Sequence, residues 1–132
     1  MSGTRILFVE DDTHVREAYA DILGALGYGV VAVDDGARAL AELQGVRPDL
    51  ILLDLLMPRA ELDGIAFLSR LATTAAGDVP IVILSALGEA LAQEISPQLA
   101  STLRIAAILP KPVAIEALTR EIERLVGPGV PR

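Results

Sequence analysis

Four apolar runs in this sequence are each followed by a polar group suited to charge chemistry. Glu10, Asp11 and Asp12 come after the first, Asp54 ends "LILLD" (50–54), Ser85 follows "PIVIL" (80–84), and Lys111 lies just beyond "IAAIL" (105–109). A buried unpaired charge is costly, so an acid such as Asp54 must be protonated, exposed at the end of its run, or held among compensating groups. Converging carboxylates repel, which raises the pKa of at least one unless a cation compensates. Oxygen ligands from two or three acids suit Mg2+, a hard cation that keeps part of its water shell and bridges to phosphate oxygens. With an ammonium and a hydroxyl added, the set describes a place for a phosphoryl group, whose transition state is stabilised by positioning and charge neutralisation. Asp54 is then the candidate nucleophile for an acyl phosphate.

These residues can act together only if the fold gathers them. Strand candidates lie at "RILFVE" (5–10), "YGVVAV" (28–33), "LILLD", "PIVIL" and "IAAIL", separated by stretches of helical period. Runs apolar on both faces suit a parallel sheet covered by helices on each side. The first helix is predicted to start after Asp12 or Thr13 and to turn Val15, Tyr19, Ile22, Leu23 and Leu26 inward. A second follows Asp35, and a third spans 63–74 with Ile65, Leu68 and Leu71 inward. The last is predicted from near Pro112, with Ile115, Leu118, Ile122 and Leu125 on one face and Glu116, Arg120, Glu123 and Arg124 largely opposite. Five βα units with short connections call for an open doubly wound α/β sheet, too few for a closed eight-unit barrel. In such sheets the working residues gather beyond the carboxyl ends of the strands, where the strand order reverses.

Composition limits the alternatives. The chain has 132 residues, 52% of them hydrophobic but only 3% aromatic, so one domain with an aliphatic core is expected. There is no cysteine, which removes disulfides, thiolate ligands and thiol nucleophiles. A net charge of -7 argues against a nucleic-acid face. No apolar run approaches a membrane span or a signal-peptide core, and a cytoplasmic, soluble domain is expected.

The motifs "VEDD" (9–12), "LLDLLMP" (52–58), "DG" (63–64), "ILSA" (83–86) and "PKP" (110–112) occur in one register. Together they resemble the receiver domain of two-component response regulators, over essentially the whole chain. The resemblance implies a flavodoxin-like (βα)5 fold with a parallel five-stranded sheet in the order 2-1-3-4-5, which would bring Glu10, Asp11 and Asp54 together. It implies a receiver over residues 1–126, with 127–132 a flexible tail or the start of a linker. Asp54 would accept a phosphoryl group from a sensor histidine kinase or a histidine phosphotransfer protein. Asp11 and Asp54 would bind Mg2+ (or Mn2+) directly, with the Leu56 backbone carbonyl as a third ligand and Glu10 acting mostly through water. Lys111 would pair with the acceptor and then with the phosphoryl oxygens, while Ser85 would move inward as the switch. Such a module turns over no external substrate. Its output partner is not legible, and a homodimer stays open.

Smaller readings stand beside these. Asp12 is foremost a helix cap, and His14 a solvated or capping residue rather than a metal ligand. Met57 and Pro58 shape a turn. Leu56 and Leu87, each two residues beyond a site residue, are expected to screen an acyl phosphate from water. Some features depart from the family pattern. "RAEL" (59–62) inserts two residues before Asp63-Gly64, and Ile108 replaces the usual aromatic three residues before Lys111, which weakens the case for coupling through a rotating ring. The segment between Ser85 and Lys111 is longer than usual and carries Pro97, so a fourth helix broken near Ser96-Pro97 is expected. An aspartate-nucleophile phosphatase of the haloacid dehalogenase type would need an acid two residues after Asp54, where Leu56 stands. A receiver-like module that only binds partners leaves the joint presence of Glu10, Asp11, Asp54, Ser85 and Lys111 unexplained.

Overall fold

The computed structural model describes residues 3–58, 60–86 and 95–129. Strands β1 (Arg5–Val9), β2 (Gly29–Val33), β3 (Leu50–Asp54), β4 (Ile81–Ser85) and β5 (Ile105–Pro110) alternate with helices. Those helices are α1 (Thr13–Ala25), α2 (Gly36–Gly45), α3 (Gly64–Leu71), α4 (Pro97–Thr102) and α5 (Ile115–Val126). All strand pairs are parallel, in the order β2-β1-β3-β4-β5. The expected doubly wound α/β sheet is therefore present.

Two apolar layers follow from the alternation of side chains along each strand. Leu7, Val9, Ile51, Leu53, Ile81 and Ile83 face one side, where they meet Ala39 of α2, Phe67, Leu68 and Leu71 of α3, and Leu103 beyond α4. Ile6, Phe8, Leu50, Leu52, Val82 and Leu84 face the other, against Leu23 of α1 and Leu118 and Ile122 of α5. Every residue of β3 and β4 is buried, as central strands of a covered sheet require. At roughly 2 kcal/mol for each large aliphatic side chain withdrawn from water, these two strands supply a substantial share of the apolar stabilisation.

The helix starts follow local chemistry. Asp12, Asp35 and Asp63 cap α1, α2 and α3 by accepting from Val15 N, Ala37 N and Ala66 N. At the expected break, Ser96-Pro97, a helix starts: Ser96 caps α4 through Leu99 N, and Pro97 occupies the first turn, where a missing N–H costs nothing. Residues 87–94, which precede it, lie outside the described residues, and so does Leu87.

Other boundaries differ from expectation. The last helix begins at Ile115, not near Pro112, because residues 111–114 still form the turn out of β5, and the Val113 carbonyl there accepts from the Tyr19 hydroxyl at 3.1 Å. The third helix ends at Leu71, after which the Thr73 and Thr74 hydroxyls donate to the carbonyls of Arg70 and Leu71 and lead into a short 3-10 turn at Ala75–Asp78. On α1, Leu23 is buried and Tyr19 packs against the layer, but Ile22 and Leu26 are exposed. The helix contacts β1 and β2 at the edge of the sheet, so its buried stripe is narrower than its apolar stripe.

Candidate functional site

Strand order delivers the acids to one place. β1 and β3 run side by side with Val9 opposite Leu53, so Glu10 and Asp11 leave β1 beside Asp54, the last residue of β3. The Glu10 amide donates to the Val33 carbonyl at 2.9 Å, holding the chain beyond β1 to the end of β2. On the other side, Leu84 lies opposite Asp54 and Pro110 opposite Ser85. This last pairing depends on a one-residue slip in the β4–β5 register between Ile81 and Val82. Past the slip, the Lys111 amide donates to the Ser85 carbonyl at 2.8 Å, and its side chain turns towards the acids.

One carboxylate oxygen from each of Glu10, Asp11 and Asp54 lies within 4.8 Å of the others. Glu10 is 0% exposed, Asp54 3% and Ser85 0%, so two of these anions are withdrawn from water. Lys111 compensates both. Its Nζ is 3.1 Å from Glu10 Oε1 and 3.2 Å from Asp54 Oδ2. Backbone donors help: Asp12 N donates to Glu10 Oε2 at 3.2 Å and Leu56 N to Asp54 Oδ1 at 3.3 Å. The compensation is incomplete. Burial, then the hydrogen bond and charge of Glu10, push the Asp54 carboxyl up to about 7 against the opposing pull of Lys111. For Lys111 itself burial pulls downward, but the charges and hydrogen bonds of Asp54 and Glu10 win and hold it above its ordinary value.

This arrangement fits a divalent cation. The donors are all oxygen, the anions outnumber the one ammonium that pairs with them, and an acid as perturbed as Asp54 marks a place where added positive charge is stabilising. Glu10, Asp11, Asp54, Ser85 and Lys111 thus meet at the carboxyl end of the sheet, while Leu56, 44% exposed, follows directly at the mouth. Asp12 caps α1 as expected, and His14 is exposed on its first turn. Ile108, opposite Ile83, packs into the α2–α3 layer.

Three supports escaped the sequence reading. Arg16 Nη1 donates to the Glu10 carbonyl at 2.9 Å, yet its spacing from Asp12 reads as an ordinary helix-surface pair. Tyr19 stacks on Phe8 at 5.9 Å and ties α1 to the turn that carries Lys111. Asp35, besides capping α2, also accepts from Glu61 N at 2.6 Å and Leu62 N at 3.3 Å. Neither Arg16 nor Asp35 left a pattern in the sequence that points to these backbone bonds.

Comparison with known proteins gives a consistent answer. Residues 6–123 match the sequence model of a family described as the response regulator receiver domain. The chain is 38% identical over 123 residues to response regulator MprA of Mycobacterium leprae, covering 92% of this chain and 50% of that protein. The MprA of Mycolicibacterium vanbaalenii is 37% identical over 128 residues, 96% of this chain and 52% of that one. The chain therefore spans about half the length of these curated relatives. Among solved structures, the non-phosphorylated HemR receiver domain of Leptospira biflexa superposes with a TM-score of 0.78 at 25% identity, covering 98% of both chains. A signal receiver domain of a histidine kinase from Syntrophus aciditrophicus does so with 0.75 at 29% identity, covering 95% of this chain and 90% of the other.

Proposed function

The chain belongs to the response regulator receiver domain family, and on that footing we propose that Asp54 is its phosphoacceptor. The observation that carries this is the pairing of the Lys111 ammonium with both buried carboxylates, Glu10 and Asp54. A phosphohistidine on a sensor kinase or phosphotransfer protein is the donor. Its N–P bond breaks as an Asp54 oxygen forms the new O–P bond, and the departing imidazole takes a proton. Asp11 and Asp54 would hold Mg2+ directly with the Leu56 carbonyl, and Glu10 mainly through water. When bound, the ion supplies positive charge to the phosphoryl oxygens. Lys111 exchanges its contact with the Asp54 carboxylate for one with a phosphoryl oxygen. Ser85, buried one residue beyond Leu84, would donate its hydroxyl to another.

The new dianionic group changes what the surrounding loops must satisfy, and a shift between two conformations follows. The signal passes to an output partner or an adjoining region, consistent with relatives about twice as long. Residues 1–126 are the receiver unit on this reading, and 127–132 begin a tail or linker. No external substrate is turned over. Among the described residues no helix is long and apolar enough to cross a membrane.

Incubation with acetyl phosphate and Mg2+ tests the assignment. The intact mass rises by one phosphoryl group, the adduct is lost on treatment with hydroxylamine, and Asp54→Asn gains nothing. An equal gain in Asp54→Asn would place the acceptor elsewhere.

A further inference from the structure

The Asp35 carboxylate does more than start a helix. Capping α2 takes one N–H, that of Ala37, at 2.8 Å from Oδ1. The same carboxylate accepts two more from across the fold, Glu61 N at 2.6 Å on Oδ2 and Leu62 N at 3.3 Å on Oδ1. The joint is reciprocal: Gly36 N donates to the Leu62 carbonyl at 3.0 Å, and a Cβ on Gly36 would stand 2.6 Å from that oxygen. Three N–H groups hold the Asp35 carboxyl below its usual range against the upward push of burial.

The loop clamped in this way runs from the end of β3 to the start of α3, residues 55–63. Its near end is pinned by the burial of Leu55 and Met57 and by the bond from Leu56 N to Asp54. Between there and Asp63 the described residues are tied by one turn bond, Ala60 N to the Met57 carbonyl, by the packing of Ala60 and Leu62 in the α2–α3 layer, and by the contacts to Asp35 and Gly36. A loop of this length loses much conformational freedom on being fixed, and bonds from a rigid helix start are what offset that cost. Leu56 lies within it.

We propose that Asp35 is a positioning residue for the cation site: by fixing the far half of the β3–α3 loop, it sets where the Leu56 carbonyl points. This rests on the phosphoacceptor reading above, in which that carbonyl is a ligand. Asp35 reaches the ion through the loop and does not touch it.

Asp35→Ser separates the two jobs, because a serine hydroxyl still caps Ala37 N but is too short to hold Glu61 and Leu62 as well. Mg2+ titration followed by calorimetry, with amide hydrogen exchange read at residues 61 and 62, gives the answer. The expected result is faster exchange at both amides and a Mg2+ dissociation constant raised roughly tenfold, the lower end of the scale seen when outer-shell support is removed. Asp35→Asn, which keeps one oxygen acceptor, falls between this variant and the wild type. Ala39→Gly loosens α2 from within while leaving Asp35 in place, and it keeps the wild-type affinity. Faster exchange with undiminished Mg2+ affinity in Asp35→Ser would overturn the proposal, as would equal weakening in Ala39→Gly. A wild-type protein that takes up no Mg2+ would bring down the phosphoacceptor reading itself, a result distinct from either.

Discussion

Asp54 is held in an electrostatically unfavourable state. Its oxygens are buried, Glu10 is beside it, and one shared ammonium offsets part of the cost, so its carboxyl titrates near 7 where an ordinary aspartate titrates at 3.8. The folded state therefore binds this proton more tightly than the unfolded state does. Stability from this group falls as pH rises from about 4 to about 7, and the penalty is complete above that range. Asp54→Asn removes the charge and keeps the shape. In Mg2+-free buffer the variant should be more stable than the wild type at pH 8, by at least ~1 kcal/mol, and the gain should shrink towards pH 4.5. Urea unfolding at the two pH values checks this, and a gain independent of pH would contradict the assigned cause. The neighbouring Leu56 makes a separate prediction. Its side chain is 44% exposed at the mouth of the site, where apolar bulk limits the approach of water to an acyl phosphate. Leu56→Asn should shorten the lifetime of the phosphorylated form severalfold, measured by loss of the phosphoryl mass after the donor is removed.

At the scale of elements, the site depends on where the β3–α3 loop and α3 are held. Gly64 opens α3 against Leu55, and a Cβ there would sit 2.6 Å from both the Leu55 Cα and its carbonyl oxygen. The backbones are too close for any side chain, and neither can retreat without moving the strand end that carries Asp54. Gly64→Ala should cost ~1–3 kcal/mol, read as a lower denaturant midpoint with an unchanged slope. The Asp63-Gly64 pair was legible as a motif because it joins a helix cap to a place where only glycine fits. Strand cores were equally legible, since residues 50–54 and 81–85 are buried on both faces and carry no alternation to misread. What failed were features decided by neighbours at a distance. Ile22 and Leu26 have helical spacing but face water, because the sheet beneath α1 ends at β2. The start of α5 at Ile115 reflects a turn occupied by Val113 and tied to Tyr19, ninety-four positions away in sequence. The five site residues were found because each lies at or just beyond the carboxyl end of a strand, whereas Arg16 and Asp35 act through backbone groups that leave no pattern in the sequence.

Over the whole molecule, the site lies where the two apolar layers end. Glu10 follows β1 and Asp54 closes β3, while Lys111 arrives from β5 on the far side of β4, so one ion pair joins the first and last strands of the chain. The α1–α5 layer is braced along its length: Tyr19 reaches Val113 near the site, and the buried Tyr28 donates to the Gly127 carbonyl at 3.0 Å at the opposite end. Lys111 is thus both a site residue and a crosslink, and the ammonium and a divalent cation serve overlapping electrostatic needs. Removing the ammonium leaves buried carboxylates uncompensated, which is strongly destabilising. Lys111→Ala should therefore lower the thermal midpoint markedly in EDTA. Any ligand that binds only the folded state stabilises it by RT ln(1 + [L]/Kd), about 2.7 kcal/mol at a hundred times Kd. Because Mg2+ then meets acids with no competing ammonium, Kd falls in the variant, and at one fixed Mg2+ concentration its midpoint should recover by more than the wild type gains. Asp54→Asn should gain least of the three. Thermal unfolding of all three proteins with and without Mg2+ decides the matter: equal increments in wild type and Lys111→Ala would mean that the lysine and the ion do not share the same acids.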